Sequence, residues 1–535
     1  MILGPGHHEL EESLERAAAV HPQRVAASPH GMAATAHYRA TEAAVQILEE
    51  GGNAVDAAVA AAFALGVCEP AGSGLGGQTM MLIYRADARR TIALDGSSRA
   101  PNRATPGSLS KAERTRGYRA TTVPSTPAVL RYALERYGTR KLAQVLEPAI
   151  CLAEDGYVVT QLQHDLAKRV AGRLREGPAA GLFLRNGEKP HRVGARFRQP
   201  VLAETLRRLA KKGIKDFYTG RIARLIHEDM QRNRGLLHRD DLAQVPRPIE
   251  RRPISGRFEN LRVLTFPPPG AGRTLIEMLN ILSHFPERRR HPDTPEGAVL
   301  IAEVVRRAFL DRRDRPFDPN FYPQVQRKRM LSADHARLLA QQIRTRIEGR
   351  GETTHLSVMD RGGNVVALSQ SIERIFGARV ATPELGFLYN NYMSAFEYED
   401  ITHPYYLRPN AVPWASVAPT IVFRGRRPWL AMGSPGSERI TSTILQVLIR
   451  LARQSPYEAV AAPRLHCSLD GTVSLEASRI RDDIQQALAG RGFRIDVRDP
   501  YSFYMGCVQL VMRERKAFVG VADPRRDGAA GGPRQ

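Results

Sequence analysis

Along the chain, the spacing of apolar positions changes from a helical to a strand period and back. Thr41 to Glu50 carries apolar residues at Ala44, Val45 and Leu48 behind a capping threonine and stops at Gly51-Gly52, which predicts a short amphipathic helix. Asn53 then caps Ala54 to Leu65, a segment apolar on nearly every face except Asp56, so this helix is expected to be buried between layers. Met80 to Tyr84 is a continuous apolar run of strand length, with Thr91 to Leu94 as its hairpin partner. Helical periodicity dominates from about Pro127 to Leu242. Val263 to Phe266 reads as a short strand, followed by helices over Thr274 to Leu282 and Pro295 to Leu310. Arg313 to Asn320 reads as loop, and Glu348 to Glu352 as an exposed polar stretch ahead of a new element.

After that stretch the texture turns strand-rich. Leu356 to Met359 and Val365 to Leu368 flank a Gly362-Gly363-Asn364 turn and form a hairpin. Further strands are expected at Thr420 to Phe423, Trp429 to Met432, Met505 to Val511 and Ala517 to Val521, and helices at Thr441 to Leu451 and Ile480 to Leu488. Strands in the middle with helices before and after predict a layered α/β or α+β sandwich. No segment of 20 to 50 residues repeats itself.

The chain has 535 residues with ordinary globular composition, 42% hydrophobic and 25% charged, which excludes the disordered classes. Its formal net charge is +23, and only nine of the 78 basic residues are lysine. A basic excess is the first mark of a nucleic-acid binder. The dense runs, at Arg288 to Arg290, Arg306 to Arg315 and Arg513 to Lys516, lack interleaved stacking aromatics, and no zinc-finger, helix-turn-helix or RNP pattern accompanies them. They read as solvated faces, and no nucleic-acid partner is expected. A non-catalytic basic binding protein stays as the alternative of another class.

Cys68, Cys151, Cys467 and Cys507 are scattered thiols, with no Cys-x-x-Cys and no spacing suited to a metal. The amino-terminal residues lack the basic and apolar regions of a secretory signal and no window spans a membrane, so a cytoplasmic protein without membrane contact is expected. Gly72-x-Gly74-x-x-Gly77 has the dinucleotide-binding spacing but follows a helix and precedes a strand, the wrong order for that use. Walker A, Gly-x-Ser-x-Gly and His-Glu-x-x-His patterns are missing. The element with chemical content is Thr353-Thr354-His355, at the start of a strand. It is joined by Ala415 to Thr420 and by the small-residue turn Gly433 to Arg439, whose backbone N–H groups can face a cavity as an oxyanion hole requires.

With those segments, the chain resembles the gamma-glutamyltranspeptidases (glutathione hydrolases), N-terminal-nucleophile hydrolases made as one chain and cut autocatalytically into two. The resemblance rests on Gly51 to Ala60, Gly66 to Pro70, Gly74 to Gly77, Pro267 to Pro269, Arg307 to Asp311, Thr353 to Asp360, Asn390-Asn391, Ala418 to Val422, Gly433 to Gly436 and Ala522 to Arg526, in the family's order over nearly the whole chain. It implies an α+β, four-layer αββα sandwich forming one composite domain. Residues 1–352 would be the large segment and 353–535 the small one, held as a heterodimer after cleavage between Glu352 and Thr353. Thr353 would be the nucleophile. Its freed α-amine, with a reference pKa near ~7.7, would be the base.

The resemblance further implies that Ser371 orients the nucleophile, that the Gly436 and Ser437 N–H groups hold the oxyanion, and that Asn391 and Ser416 bind substrate. The reaction needs no metal or organic cofactor, and a small-molecule amide is the partner. Ser97 stands where the family has the arginine that clamps a γ-glutamyl carboxylate, Ala395 where it has the acid that holds the amine, Glu373 in place of a polar amide and Ala415 in place of the first binding serine. An acyl pocket altered from the γ-glutamyl pattern is therefore expected. The alternative is a genuine glutathione hydrolase in which Arg99 or Arg374 substitutes for the missing arginine.

Overall fold

The computed structural model describes residues 17–244, 248–314, 353–514 and 517–534. Two antiparallel seven-stranded sheets face each other, each covered on its outer side by helices, which gives the four αββα layers. The first sheet runs Val25–Ser28, Phe518–Ala522, Gln509–Arg513, Arg427–Gly433, Thr420–Arg424, Leu261–Thr265, Ile254–Phe258. The second runs Ala529–Gly531, Gly31–Thr35, Thr354–Asp360, Val365–Ser371, Gln78–Arg85, Arg90–Gly96, Ile249–Arg251. Both sheets combine strands from before and after residue 353, so the chain folds as one composite unit.

Strand period decides which side chains meet which layer. Met359, Val365 and Ala367 point into the space between the sheets, where they join Ile421, Phe423, Ala431 and Val511. Their neighbours Leu356, Val358, Val366 and Leu368 point the other way, into the core beneath the outer helices. The helix Ala54–Cys68 lies in that core with 14 of its 15 residues buried, as its all-round apolar surface predicts. Asn53 and Asp56 close a capping box at its start, and Asp56 also accepts N–H bonds from Thr139 and Arg140, so the one acid on this helix serves structure. On the outer face of the first sheet, the helices Gly272–Leu282, Pro295–Asp314 and Arg439–Arg450 build a separate apolar core.

Several element boundaries differ from the sequence expectation, four of them by a cap, a turn or a shift of the element. The first helix spans Tyr38–Glu49 because His37, four residues before the expected capping Thr41, caps it through Nδ1. The helix expected to end at Leu310 continues to Asp314, inside the stretch read as loop. That helix is followed by residues 315–320, which with Glu348 to Glu352 lie outside the described residues. The strand expected from Met505 begins only at Gln509, because Gly506 sits at φ 79° and the Cys507 N–H bonds to Ser434 Oγ (2.9 Å) instead of a neighbouring strand. The late helix is shifted to Asp482–Gly490.

Candidate active site

Thr353 lies one residue ahead of the strand Thr354–Asp360 and is 4% exposed. In the antiparallel pairing Thr354 stands opposite Gln370, so extending the register by one residue puts Thr353 opposite Ser371. By the period of the strand, Thr353 shares its face with His355, Ser357 and Met359. That face meets the other sheet: Ser357 Oγ donates to the Gln509 carbonyl at 3.0 Å, and a Cβ at Gly433 would collide with the His355 ring. The even face meets the helix layer, where Thr354 Oγ1 donates to Glu69 at the end of Ala54–Cys68. Glu69 also accepts from the buried Arg526.

The turn that follows Gly433 arrives at the same edge. Gly436 has φ 116° and Ser437 has φ 54°, a conformation that glycine adopts freely and serine at a cost. Their carbonyls accept the first N–H bonds of the helix that follows, from Arg439 (3.0 Å) and Ile440 (3.1 Å). Among the described residues no backbone acceptor takes the N–H of either. Two adjacent N–H groups at a helix start favour negative charge. Ser434 holds the turn from below: its Oγ donates to the Pro435 carbonyl at 2.7 Å and accepts the Cys507 N–H.

Ser371 is buried and accepts the Glu373 N–H at 2.8 Å, within reach of the buried Tyr392 hydroxyl. Glu373 itself has φ 77°, so two non-glycine residues among the expected site positions, Glu373 and Ser437, are held at positive φ together with Gly436. Beside this edge a recess of about 350 Å³ is lined by Glu373, Ala395, Ser416 and Ser437, together with Arg312, Glu397, Trp414 and Glu438. Four positions singled out from sequence thus share one cavity, of a size that suits a small ligand.

The remaining positions lie elsewhere. Asn391 is fully buried with both ends of its amide on backbone, its Oδ1 accepting from Arg374 N (3.0 Å) and its Nδ2 donating to Thr115 O (2.8 Å). It supports the loop that carries Glu373. Ser97 donates to Asp95 Oδ1 at 2.6 Å, and Arg251 pairs with the other oxygen of Asp95. Arg99 faces a small separate recess with Asn102, Asp241 and Asn410. Burial lowers its pKa, and its guanidinium donates to the Asn410 carbonyl at 3.3 Å. Neither Ser97, Arg99 nor Arg374 lines the 350 Å³ recess. Glu352 lies outside the described residues. The glycines at 76 and 77 serve packing: side chains there would strike the backbones of Leu388 and Ser371.

Sequence reasoning missed Glu69 and Arg312. Glu69 was visible only as part of the resemblance. Arg312 sits in an arginine-rich run that reads as a solvated face, yet its side chain is buried against Trp414, 4.4 Å over the ring. No group of three or more His, Cys, Asp or Glu among the described residues is placed to hold a metal, and no described helix is long and apolar enough to cross a membrane.

A double-sheet αββα sandwich of this kind is the fold of the N-terminal-nucleophile amidohydrolases. The chain belongs to the gamma-glutamyltranspeptidase family, whose profile matches residues 40–532. It is 32% identical over 542 residues to the glutathione hydrolase proenzyme of Escherichia coli K12, covering 94% of this chain and 91% of that one. It is 35% identical over 507 residues to the acylase ACY 1 proenzyme of Pseudomonas sp. SE83, covering 89% of each. The cephalosporin acylase of Bacillus halodurans superposes with a TM-score of 0.87 at 29% identity, over 96% of this chain and 97% of that one. The protein is thus an enzyme of a family that includes both glutathione hydrolases and acylases.

Proposed function

We propose that this enzyme cuts itself between Glu352 and Thr353 and then hydrolyses small amides through an acyl-enzyme on Thr353, with an acyl pocket altered from the γ-glutamyl pattern. The observation that supports the reading is the strand register, which sets Thr353 opposite Ser371 on the face where His355 packs against Gly433, three residues ahead of the Gly436-Ser437 turn. In self-cleavage the Thr353 hydroxyl attacks the Glu352 carbonyl, the peptide nitrogen leaves with a proton as the new α-amine, and water opens the ester. In turnover that amine takes the Thr353 proton as Oγ attacks the substrate carbonyl. The C–N bond breaks, the leaving amine departs with the proton, and water releases the acid. Each oxyanion donor is worth roughly 3 to 4 kcal/mol where one has been removed.

The altered pocket is supported by Ala395 and Glu373 on the cavity wall and by Ser97 turned to Asp95. Losing both charged partners of a zwitterion leaves its charges unpaired in a cavity, a cost of several kcal/mol when they are buried. The two segments would stay together as a heterodimer, since both sheets interleave strands from each. Denaturing gels and amino-terminal sequencing test the first step: the expected result is a small segment beginning at Thr353, with no cleavage in Thr353→Ala. A chain that stays whole on long incubation, with or without Thr353, refutes it. Turnover of a γ-glutamyl anilide equal to that of other acyl anilides would refute the altered pocket in favour of a glutathione hydrolase.

A further inference from the structure

At the strand ends farthest from Thr353 and Gly433 the sandwich breaks a rule of strand pairing. Like charges directly opposite each other in an antiparallel pair are destabilising. Three hairpins there nonetheless close on two facing arginines: Arg85 with Arg90, Arg257 with Arg262, and Arg424 with Arg427. Arg85 is answered by Asp87, and Arg424 lies 3.7 Å over the Trp429 ring. Arg257 and Arg262 have no such acid. Among the described residues neither has a carboxylate at ion-pair distance, and Arg262 lies 4.4 Å over the Phe423 ring. A local rule broken without compensation inside the chain points to a partner outside it.

The register also says where this pair points. Arg262 stands opposite Phe423, so the two share a face, and Phe423 is buried between the sheets. Where that space ends, a recess of about 520 Å³ is lined by Arg257, Arg262 and Arg426 from two hairpins of the first sheet and by Arg89 from a hairpin tip of the second. All four arginines are exposed. The one acid on its wall, Glu259, is paired with Arg290. A cleft lined by one sign of charge focuses the potential and gathers counter-ions. The strand Arg427–Gly433 separates this recess from the Thr353 edge by about 20 Å, so the two are distinct sites.

We propose that this recess binds an inorganic oligophosphate, held between the arginine forks of Arg257, Arg262, Arg426 and Arg89. Guanidinium forks match phosphate oxygens bidentately and stay charged at any physiological pH. A phosphate chain carries charge on every phosphorus along a narrow body, so several guanidiniums of one recess can grip it at once. No aromatic residue lines the wall, which leaves a nucleobase nothing to stack on. A concave site between two sheets also does not match the plane of a bilayer.

The test is calorimetric titration of the full-length protein with tripolyphosphate at about 0.15 M salt, run beside urea unfolding midpoints with and without it. The expected result is one site per chain with a Kd on the order of 10 µM, at least about 10-fold tighter than orthophosphate. Arg257→Gln combined with Arg426→Gln is expected to weaken binding by at least about 30-fold. Without ligand the same variant should unfold at higher urea, because the facing like charges are gone. Tripolyphosphate should then raise the wild-type midpoint and leave that of the variant in place. Arg221→Gln combined with Arg239→Gln removes the same charge from exposed positions on two helices and should bind as the wild type does. Binding that does not saturate at one site, or that both double variants weaken alike, overturns the proposal and leaves diffuse charge attraction. Tighter binding of oligothymidylate or of phosphatidylglycerol vesicles than of tripolyphosphate also overturns it, in favour of a nucleic acid or a membrane surface.

Discussion

Thr354→Val removes one hydroxyl and keeps the shape and β-propensity of the side chain. It is the sharpest probe of how the fold places Thr353. The Thr354 hydroxyl is buried and donates to Glu69, and Glu69 is anchored from its other oxygen by Arg526. The residue after the nucleophile is therefore tied to the end of Ala54–Cys68, a helix with almost no exposed residue. A hydrogen bond to a charged acceptor contributes about 1.5 to 3 kcal/mol. Glu69 keeps its arginine in the variant, so no charge is stranded and the loss should stay within that range. If the tie is what holds Thr353 against the scissile carbonyl, the same energy appears in the barrier. At about 1.36 kcal/mol per tenfold, self-cleavage slows by about 10- to 160-fold. The assay is the rate of appearance of the small segment on denaturing gels, run beside the urea unfolding midpoint. A variant that loses stability by this amount but cleaves at the wild-type rate would refute the reasoning, because the bond would then stabilise the fold without positioning the nucleophile.

Gly436→Ala forces a side chain onto φ 116°, beside the Gly506 Cα at 3.3 Å, and shifts the N–H groups at the helix start; anilide turnover should fall by about 100-fold or more with self-cleaved protein otherwise folded. Acid should weaken the fold well above the carboxylate range. His37, His355 and His466 are each pushed down to about 3 by burial, so the unfolded chain binds protons below about pH 6.5 that the folded chain refuses. The unfolded state then holds more protons, stability falls as pH falls from about 6.5 toward 3, and each histidine adds up to about 1.36 kcal/mol per pH unit to the slope. Urea midpoints from pH 7 to pH 4 measure it; a flat profile would contradict the assignment of neutral buried imidazoles.

Much of the sandwich was legible because strand period and burial agree. The run Thr353 to Asp360 alternates between two apolar layers, and both neighbours of the Gly362-Gly363-Asn364 turn share its register. The misplaced strand at Met505 shows where the pattern fails: Met505, Cys507 and Val508 are apolar and buried, but a bond from a distant serine takes the Cys507 N–H out of the ladder. Hydropathy has no access to such a partner. The site divides in the same way. Gly436 and Ser437 were legible from small residues before a helix, since that composition is itself the geometry. Asn391 was assigned to substrate by likeness, whereas its amide is fully engaged by backbone. Arg312 was illegible because nothing in the sequence separates it from Arg313, whose side chain is partly exposed and pairs with Asp314, whereas Arg312 is buried over Trp414.

The +23 charge takes on a different meaning once the arginines are located. Arg525 and Arg464 share Asp523 and Glu476 in a cluster with no exposed side-chain surface, and burial alone would raise the Asp523 carboxyl, yet the two arginine charges leave it below its ordinary value. Other pairs join residues on opposite sides of position 353: Arg526 with Glu69, and Arg450 with Asp293. Arg24 donates to the carbonyls of Asp523 and Gly528 across the same division, and Asp360 accepts the Ala54 N–H at 2.9 Å. Cutting one peptide bond at 352–353 breaks none of these contacts, and separating the two pieces would expose every one of them along with both faces of the mixed sheets. Breaking a buried pair by removing one partner costs about 3 to 5 kcal/mol, so a few such links suffice to hold two segments that no longer share a backbone. At these positions the arginine excess has an internal use, as fasteners across the proposed cut.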